Sequence, residues 1–321
     1  MKNDGTENKE AVDNVIVTGG SGFLGRHLIW HLCNEQHRVY ALVRQESGLA
    51  RLPKHPNLIP VIGTLETLKD VENQFPKVIS AFFHFAWQGV NRAELDDEET
   101  QNRNIENSLL ALQTALHLHS GCFIFAGSRS EYGVPTDGFQ ENAVCDPIVA
   151  YGRAKLAFGK AAAEICRSSD MQYIHGRIFS VYGRGDHPWS LVSTSIRKMQ
   201  RNEPLELSAC TQLWNYMDVR DMADLMLTFY RQRNRIPEGD NSIFNVATRD
   251  IRPLRMYVEE MAQVLESSSP LLFGAYHPAA ESEVSLVPDM TKVERIFGWK
   301  QKIPFSNGIR SILASGEVQD E

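Results

Sequence analysis

The chain has 321 residues, 42% hydrophobic and 23% charged, the balance of an ordinary globular protein with room for one large domain or two intimately packed ones. A net charge of -7 gives no basic footprint for nucleic acid, so an anionic ligand has to be held by local donors. No apolar run reaches the ~20 residues of a membrane helix, and five scattered cysteines without a Cys-x-x-Cys argue against a disulfide framework or a metal site.

Residues 1–12 are polar and lack the apolar core of a signal peptide, which predicts a disordered tail on a cytoplasmic protein. Asn14–Thr18 is a short β-branched strand, followed at once by Gly19-Gly20-Ser21-Gly22-Phe23-Leu24-Gly25. A helix is predicted from Phe23 to about Glu35, with Leu24, Leu28 and Leu32 at helical spacing, and a second strand over Arg38–Val43. Gly19, Gly22 and Gly25 permit a tight turn, close approach of the backbone to a diphosphate, and close helix–strand packing. The helix N-terminus at Phe23 and Leu24 then offers free N–H groups and positive dipole to the phosphates.

Leu58–Ile62, Ala81–Phe85, Cys122–Ala126 and Tyr173–Ile178 read as strands, with helical patterns at Glu98–His119 and Ala150–Arg167. That alternation predicts an α/β fold: a Rossmann-like, doubly wound parallel sheet covered on both faces. After Tyr182 the rhythm breaks. Ser190–Gln200 and Val219–Tyr230 are helical, Leu205–Leu207 is short and extended, and Ile243–Val246 is a strand. The predicted organisation is a dinucleotide-binding domain over 13–179, to which 213–248 returns, and a smaller interleaved substrate lobe from 180–212 and 249–316. Within the helix from Ala150, Tyr151 and Lys155 lie about one turn apart and project from one face. A free phenol titrates near ~10, and a neighbouring ammonium lowers that, which makes Tyr151 a usable acid near neutral pH. Alone, this spacing is common on amphipathic helices.

The order and spacing of Thr18–Gly25, Ser128…Tyr132-Gly133 and Tyr151-x-x-x-Lys155 resemble the extended short-chain dehydrogenases/reductases, in their nucleotide-sugar epimerase/dehydratase/reductase branch. The resemblance runs from about Asn14 to the Gly298-Trp299…Pro304…Gly308 stretch. It implies Tyr151 as general acid/base, Lys155 on the nicotinamide ribose, and Ser128 hydrogen-bonded to the reacting carbonyl from a loop after a strand ending at Ala126. It also implies architectural support from Asn104, cofactor contacts at Phe85, Ala86 and Phe179, and substrate contacts at Trp87, Ser130 and Ser180. Arg44, at the end of the second strand where NAD-preferring members carry an acid, implies NADP(H), with NAD(H) the other option. Thr64 stands where relatives have an adenine-contacting aspartate.

The reaction is narrowed by Arg129 and Ser130, which replace the Asp-Glu pair of the family's dehydratases and disfavour dehydration. Ser130 also occupies the place of the cysteine base in the epimerase-reductases that make GDP-fucose. His187 remains a candidate proton donor there, with a solvated loop histidine as its plain reading. Arg177-Ile-Phe-Ser-Val-Tyr-Gly183 and Gln212-Leu-Trp-Asn-Tyr-Met-Asp-Val-Arg-Asp221 resemble reductases of nucleotide-activated 4-keto-6-deoxysugars, of the CDP-abequose synthase type. Trp214 takes the place of a diphosphate-binding arginine, which leaves Arg184, His187, Arg197 and Arg252 as candidate phosphate ligands. The expected function is NADPH-dependent reduction of a C4 keto group on a nucleotide sugar, in a homodimer built through two helices per subunit. The alternatives are a 4-epimerase with tightly bound NAD and a non-catalytic dinucleotide-binding protein.

Overall fold

The computed structural model describes residues 13–135, 138–276 and 284–316; the predicted N-terminal tail lies outside them. β1 (Asn14–Thr18) is buried along nearly its whole length, as expected of a central strand. It leads through the glycine turn into α1 (Phe23–Asn34) and β2 (Arg38–Val43). β3 (Leu58–Ile62), the short α2 (Leu68–Val71), β4 (Ala81–His84), α3 (Glu98–His117), β5 (Cys122–Ser128), α4 (Ala150–Arg167) and β6 (Gln172–Ile178) continue the alternation. α3 stops short of the expected His119, which adopts a left-handed φ of 48° and turns the chain.

The small lobe begins with β7 (Ser180–Tyr182), α5 (Leu191–Gln200), β8 (Leu205–Leu207) and β9 (Leu213–Asp218). α6 (Val219–Arg231) and β10 (Ile243–Val246) follow, then β11 (Ile251–Pro253), α7 (Leu254–Val264), β12 (Leu271–Phe273), α8 (Thr291–Phe297) and α9 (Phe305–Ser315). Seven parallel strands form the main sheet in the order β10-β6-β5-β4-β1-β2-β3. One face is covered by α1 and α6, through Leu28, Leu32, Met222 and Met226, and the other by α3 and α4, through Leu112, Phe158 and Ala162. Phe82, Phe83, Phe123 and Phe125 are completely buried between these layers, each stabilising the fold by about 1.5–3 kcal/mol relative to exposure.

Two further differences from the sequence reading follow from strand pairing. β5 runs past Ala126 to Ser128, because Gly127 and Ser128 still pair with Arg177 and Ile178 of β6. Of the segment 213–248, α6 and β10 rejoin the large sheet, whereas β9 pairs with β7 and β11 in a separate three-stranded sheet. The two parts are tied closely. A Cβ at Gly308 of α9 would stand 2.0 Å from the Tyr182 hydroxyl, which itself donates to the Phe305 carbonyl at 3.1 Å. No helix among the described residues is long and apolar enough to cross a membrane.

Candidate active site

The strand order reverses direction at β1, which has β2 on one side and β4 on the other. In open α/β sheets the crevice at the carboxyl ends of such strands is where ligands bind. Gly19 and Gly22 line that crevice. Gly19 has φ 70°, and a Cβ there would lie 2.7 Å from the Ala86 nitrogen. At Gly25 a Cβ would lie 2.3 Å from the Gly19 carbonyl oxygen. The turn is therefore pressed flat against the end of β4, where the backbone N–H groups of Phe85 and Ala86 donate to Thr18 Oγ1. α1 has neither a side-chain cap nor an acidic residue in its first turn, so its leading N–H groups face the crevice unclaimed. This cradle suits a dinucleotide diphosphate.

Phe85, Ala86 and Trp87 form one wall, and Arg44 and Thr64 lie toward the far end. Thr64 is engaged with Thr67, its Oγ1 3.2 Å from the Thr67 Oγ1. The sequence reading missed Arg51, which also lines the crevice. It ends the 3₁₀ turn Glu46–Arg51, and only the folding-back of that turn brings it to the Arg44 end.

Ser128 and Tyr151 meet across two elements. Ser128 closes β5 and caps the following 3₁₀ turn, Arg129–Glu131, where its Oγ accepts the Ser130 N–H at 3.1 Å. Tyr151 is in the first turn of α4, and Gly152 lets the helix lie on that turn: a Cβ there would stand 2.3 Å from the Ser130 carbonyl oxygen. The start of α4 is held from a distant loop, with the Leu95 carbonyl accepting the Tyr151 N–H and Asp96 accepting the Ala150 N–H at 2.9 Å. Asp96→Ala removes that cap and is expected to lower the melting temperature by about 2 °C, read by differential scanning fluorimetry.

Burial pushes the Tyr151 phenol up to about 12; the neighbouring Ser128 hydroxyl and the Arg129 charge pull it down, and the Glu131 charge raises it. The Lys155 ammonium donates to the Ala126 carbonyl at 2.6 Å, sits 3.9 Å over the Trp87 ring and lies 5.7 Å from the Tyr151 ring centroid. A second cation near the phenol, which the sequence reading did not foresee, is Arg129, half-buried on the Ser128 turn. Burial lowers Lys155 itself to about 7, against a raising pull from Glu131.

Of the remaining predicted residues, Trp87 stands edge-on to Tyr151 at 6.3 Å and donates to Gln101. Asn104 exchanges hydrogen bonds with the Gln88 backbone, an architectural use. Ser130 and Ser180 are half-buried, the first on the turn after β5 and the second opening β7. The Phe179 side chain is buried against Tyr132 and Phe139, so it packs in the core, not in the crevice. His187 is not simply solvated: it stacks on Trp189 at 4.5 Å and meets Phe23 edge-on at 6.4 Å. The Arg184 carbonyl accepts from Arg26 and His27 of α1, and Arg197 donates to the Pro188 carbonyl, so both belong to the fixation of this loop. Trp214 lies opposite Arg252 on paired strands, its Nε1 buried without a hydrogen-bond partner among the described residues. Arg252 is no free phosphate ligand, because Asp250 and Glu260 already balance its charge at 3.2 and 2.5 Å while Tyr257 stacks beneath it.

A glycine cradle at the switch point, with a serine, tyrosine and lysine gathered beside it, defines a dinucleotide-binding protein of the short-chain dehydrogenase/reductase class. The chain belongs to the NAD-dependent epimerase/dehydratase family, whose model matches residues 15–247. It is 22% identical over 311 residues to a CDP-abequose synthase of Salmonella muenchen, covering 94% of this chain and 98% of that protein. It is 23% identical over 308 residues to a UDP-glucose 4-epimerase of Lactobacillus helveticus, covering 90% and 92%. A UDP-glucose 4-epimerase structure from Thermotoga maritima superposes with a TM-score of 0.79 at 22% identity, covering 94% of this chain and 97% of that one.

Proposed function

We propose that the protein reduces the C4 keto group of a nucleotide-linked 6-deoxysugar with NADPH, Tyr151 delivering the proton. The observation that carries this reading is the placement of Ser128 and Tyr151 together beside the glycine cradle, a hydroxyl and a phenol able to meet one carbonyl oxygen. Burial raises the phenol, which suits a proton donor. Ser128 supports the same step, since a hydroxyl donor beside the phenol stabilises negative charge as it develops on the carbonyl oxygen. Arg129 and Ser130 supply no carboxylate for dehydration. The crevice residues fit the cofactor: the uncapped start of α1 would hold its diphosphate, and Lys155 its nicotinamide ribose. Bound there, NADPH supplies the hydride.

Arg44 and Arg51 together support NADP(H) over NAD(H), because two guanidinium groups at one end of the crevice match a 2′-phosphate. Replacing both by Ser is expected to weaken NADPH binding ~100-fold while leaving NADH within a few-fold. Equal losses in fluorescence titrations of the two would overturn the assignment. The function itself is tested by NADPH oxidation with nucleotide 4-keto-6-deoxyhexoses. If the purified protein instead retains NAD and interconverts nucleotide sugars with no added cofactor, it is an epimerase. We further propose a homodimer through α3 and α4, supported by exposed Leu110 and Ile165 on those helices; a monomeric mass in light scattering would exclude it.

A further inference from the structure

Directly beneath the reacting groups lies a carboxylate that the proposed reduction does not use. Glu131 is 0% exposed. Its Oε1 accepts the Ser128 backbone N–H at 2.7 Å and lies 2.9 Å from His175 Nε2, and its Oε2 accepts Arg177 Nε at 3.0 Å. The fold makes room for this cluster with glycines. A Cβ at Gly127 would stand 2.2 Å from His175 Nε2 and 2.5 Å from Glu131 Oε1, and one at Gly159 would stand 2.6 Å from His175 Cε1. An apolar side chain would fill the same space without desolvating a charge.

The cluster holds Ser128 at two points: Glu131 takes its backbone N–H, and its Oγ accepts from Ser130. The hydroxyl proton is then left to face Tyr151. We propose that Glu131 is a positioning residue of this site, clamping Ser128 at the end of β5 and standing as the counter-charge to the Lys155 ammonium. The groups that face it are His175, Arg177 and Tyr173 from β6, Tyr151 and Lys155 from α4, Tyr132 from the end of its own turn, and Cys145. Lys155 also faces His84 of β4, which burial keeps neutral at about 3. The geometry sets the sign: Lys155 holds the Ala126 carbonyl and Glu131 the Ser128 N–H, two residues along the same strand, so the carboxylate favours the charged ammonium and its loss releases the proton at lower pH.

The inference rests on the proposed reduction only for its kinetic assay. The test is Glu131→Gln combined with Arg177→Met, which removes the paired charges together, compared with Arg177→Met alone. In the double variant kcat is expected to fall ~100-fold with little change in KM for NADPH. The alkaline limb of its kcat profile should move about one pH unit lower, whereas Arg177→Met leaves that limb in place or moves it higher. Independently of any substrate, the NMR titration midpoint of the Lys155 side chain, assigned by its loss in Lys155→Arg, should drop by about the same amount in the double variant. An unchanged midpoint overturns the proposal, and Glu131→Gln alone decides it by the same readout if the double variant fails to fold. A wild-type protein that reduces no 4-keto sugar would sink the proposed function while the Lys155 midpoint still decides the role of Glu131.

Discussion

Tyr151→Phe is expected to lower turnover of NADPH with a nucleotide 4-keto sugar ~10³-fold, within the range that a positioned proton donor contributes. The ring itself is held by contacts that the substitution keeps, including the edge of Trp87 at 6.3 Å and the Leu95 carbonyl on its backbone N–H. NADPH affinity should therefore survive, since the diphosphate cradle lies on α1 and β4. What disappears is the proton and the phenol's interaction with the Ser128 hydroxyl. A variant that turns over at the wild-type rate would remove Tyr151 from the chemistry. One that also loses NADPH binding would show the phenol to be a cofactor ligand first.

Gly25→Ala should weaken NADPH binding ~100-fold, the scale of loss that a displacement of about 1 Å produces at a positioned ligand. The added methyl would lie 2.3 Å from the Gly19 oxygen, 2.9 Å from the Gly19 carbonyl carbon and 3.0 Å from the Gly20 Cα. All three are backbone atoms, so no rotamer change relieves the contact. Either the glycine turn lifts off Phe85 and Ala86, or α1 withdraws from β1. Fluorescence titration with NADPH reads the effect, and an unchanged affinity would mean that the turn tolerates the shift and is not the diphosphate cradle.

Much of the fold was legible because the relevant signals are local. The β-branched run before Gly19, the leucines of α1 and the apolar strands after it need only periodicity to be recognised. The order of Ser128, Tyr151 and Lys155 was readable in the same way. The errors arose where a long-range partner decides the outcome. The extension of β5 to Ser128 depends on β6 continuing beside it. The placement of β9 depends on pairing with β7 and β11, strands of only three residues each. Arg252 looked available as a phosphate ligand until Asp250 and Glu260 were seen closing on it. Arg51 carried no signal of its own, because a charged residue in a loop is ordinary until the loop folds back.

The sequence by itself therefore determined the glycine turn and the order of Ser128, Tyr151 and Lys155, since glycine spacing and a four-residue Tyr–Lys separation act over one turn of chain. Only the tertiary structure decided what charge each of those groups carries. Burial between α4 and β5 raises the Tyr151 phenol and lowers the Lys155 ammonium. A second cation near Tyr151 is Arg129, and the anion beneath Lys155 is Glu131. Those neighbours are set by strand and helix packing across the molecule, and desolvation depends on that packing in three dimensions, which no spacing along the chain encodes.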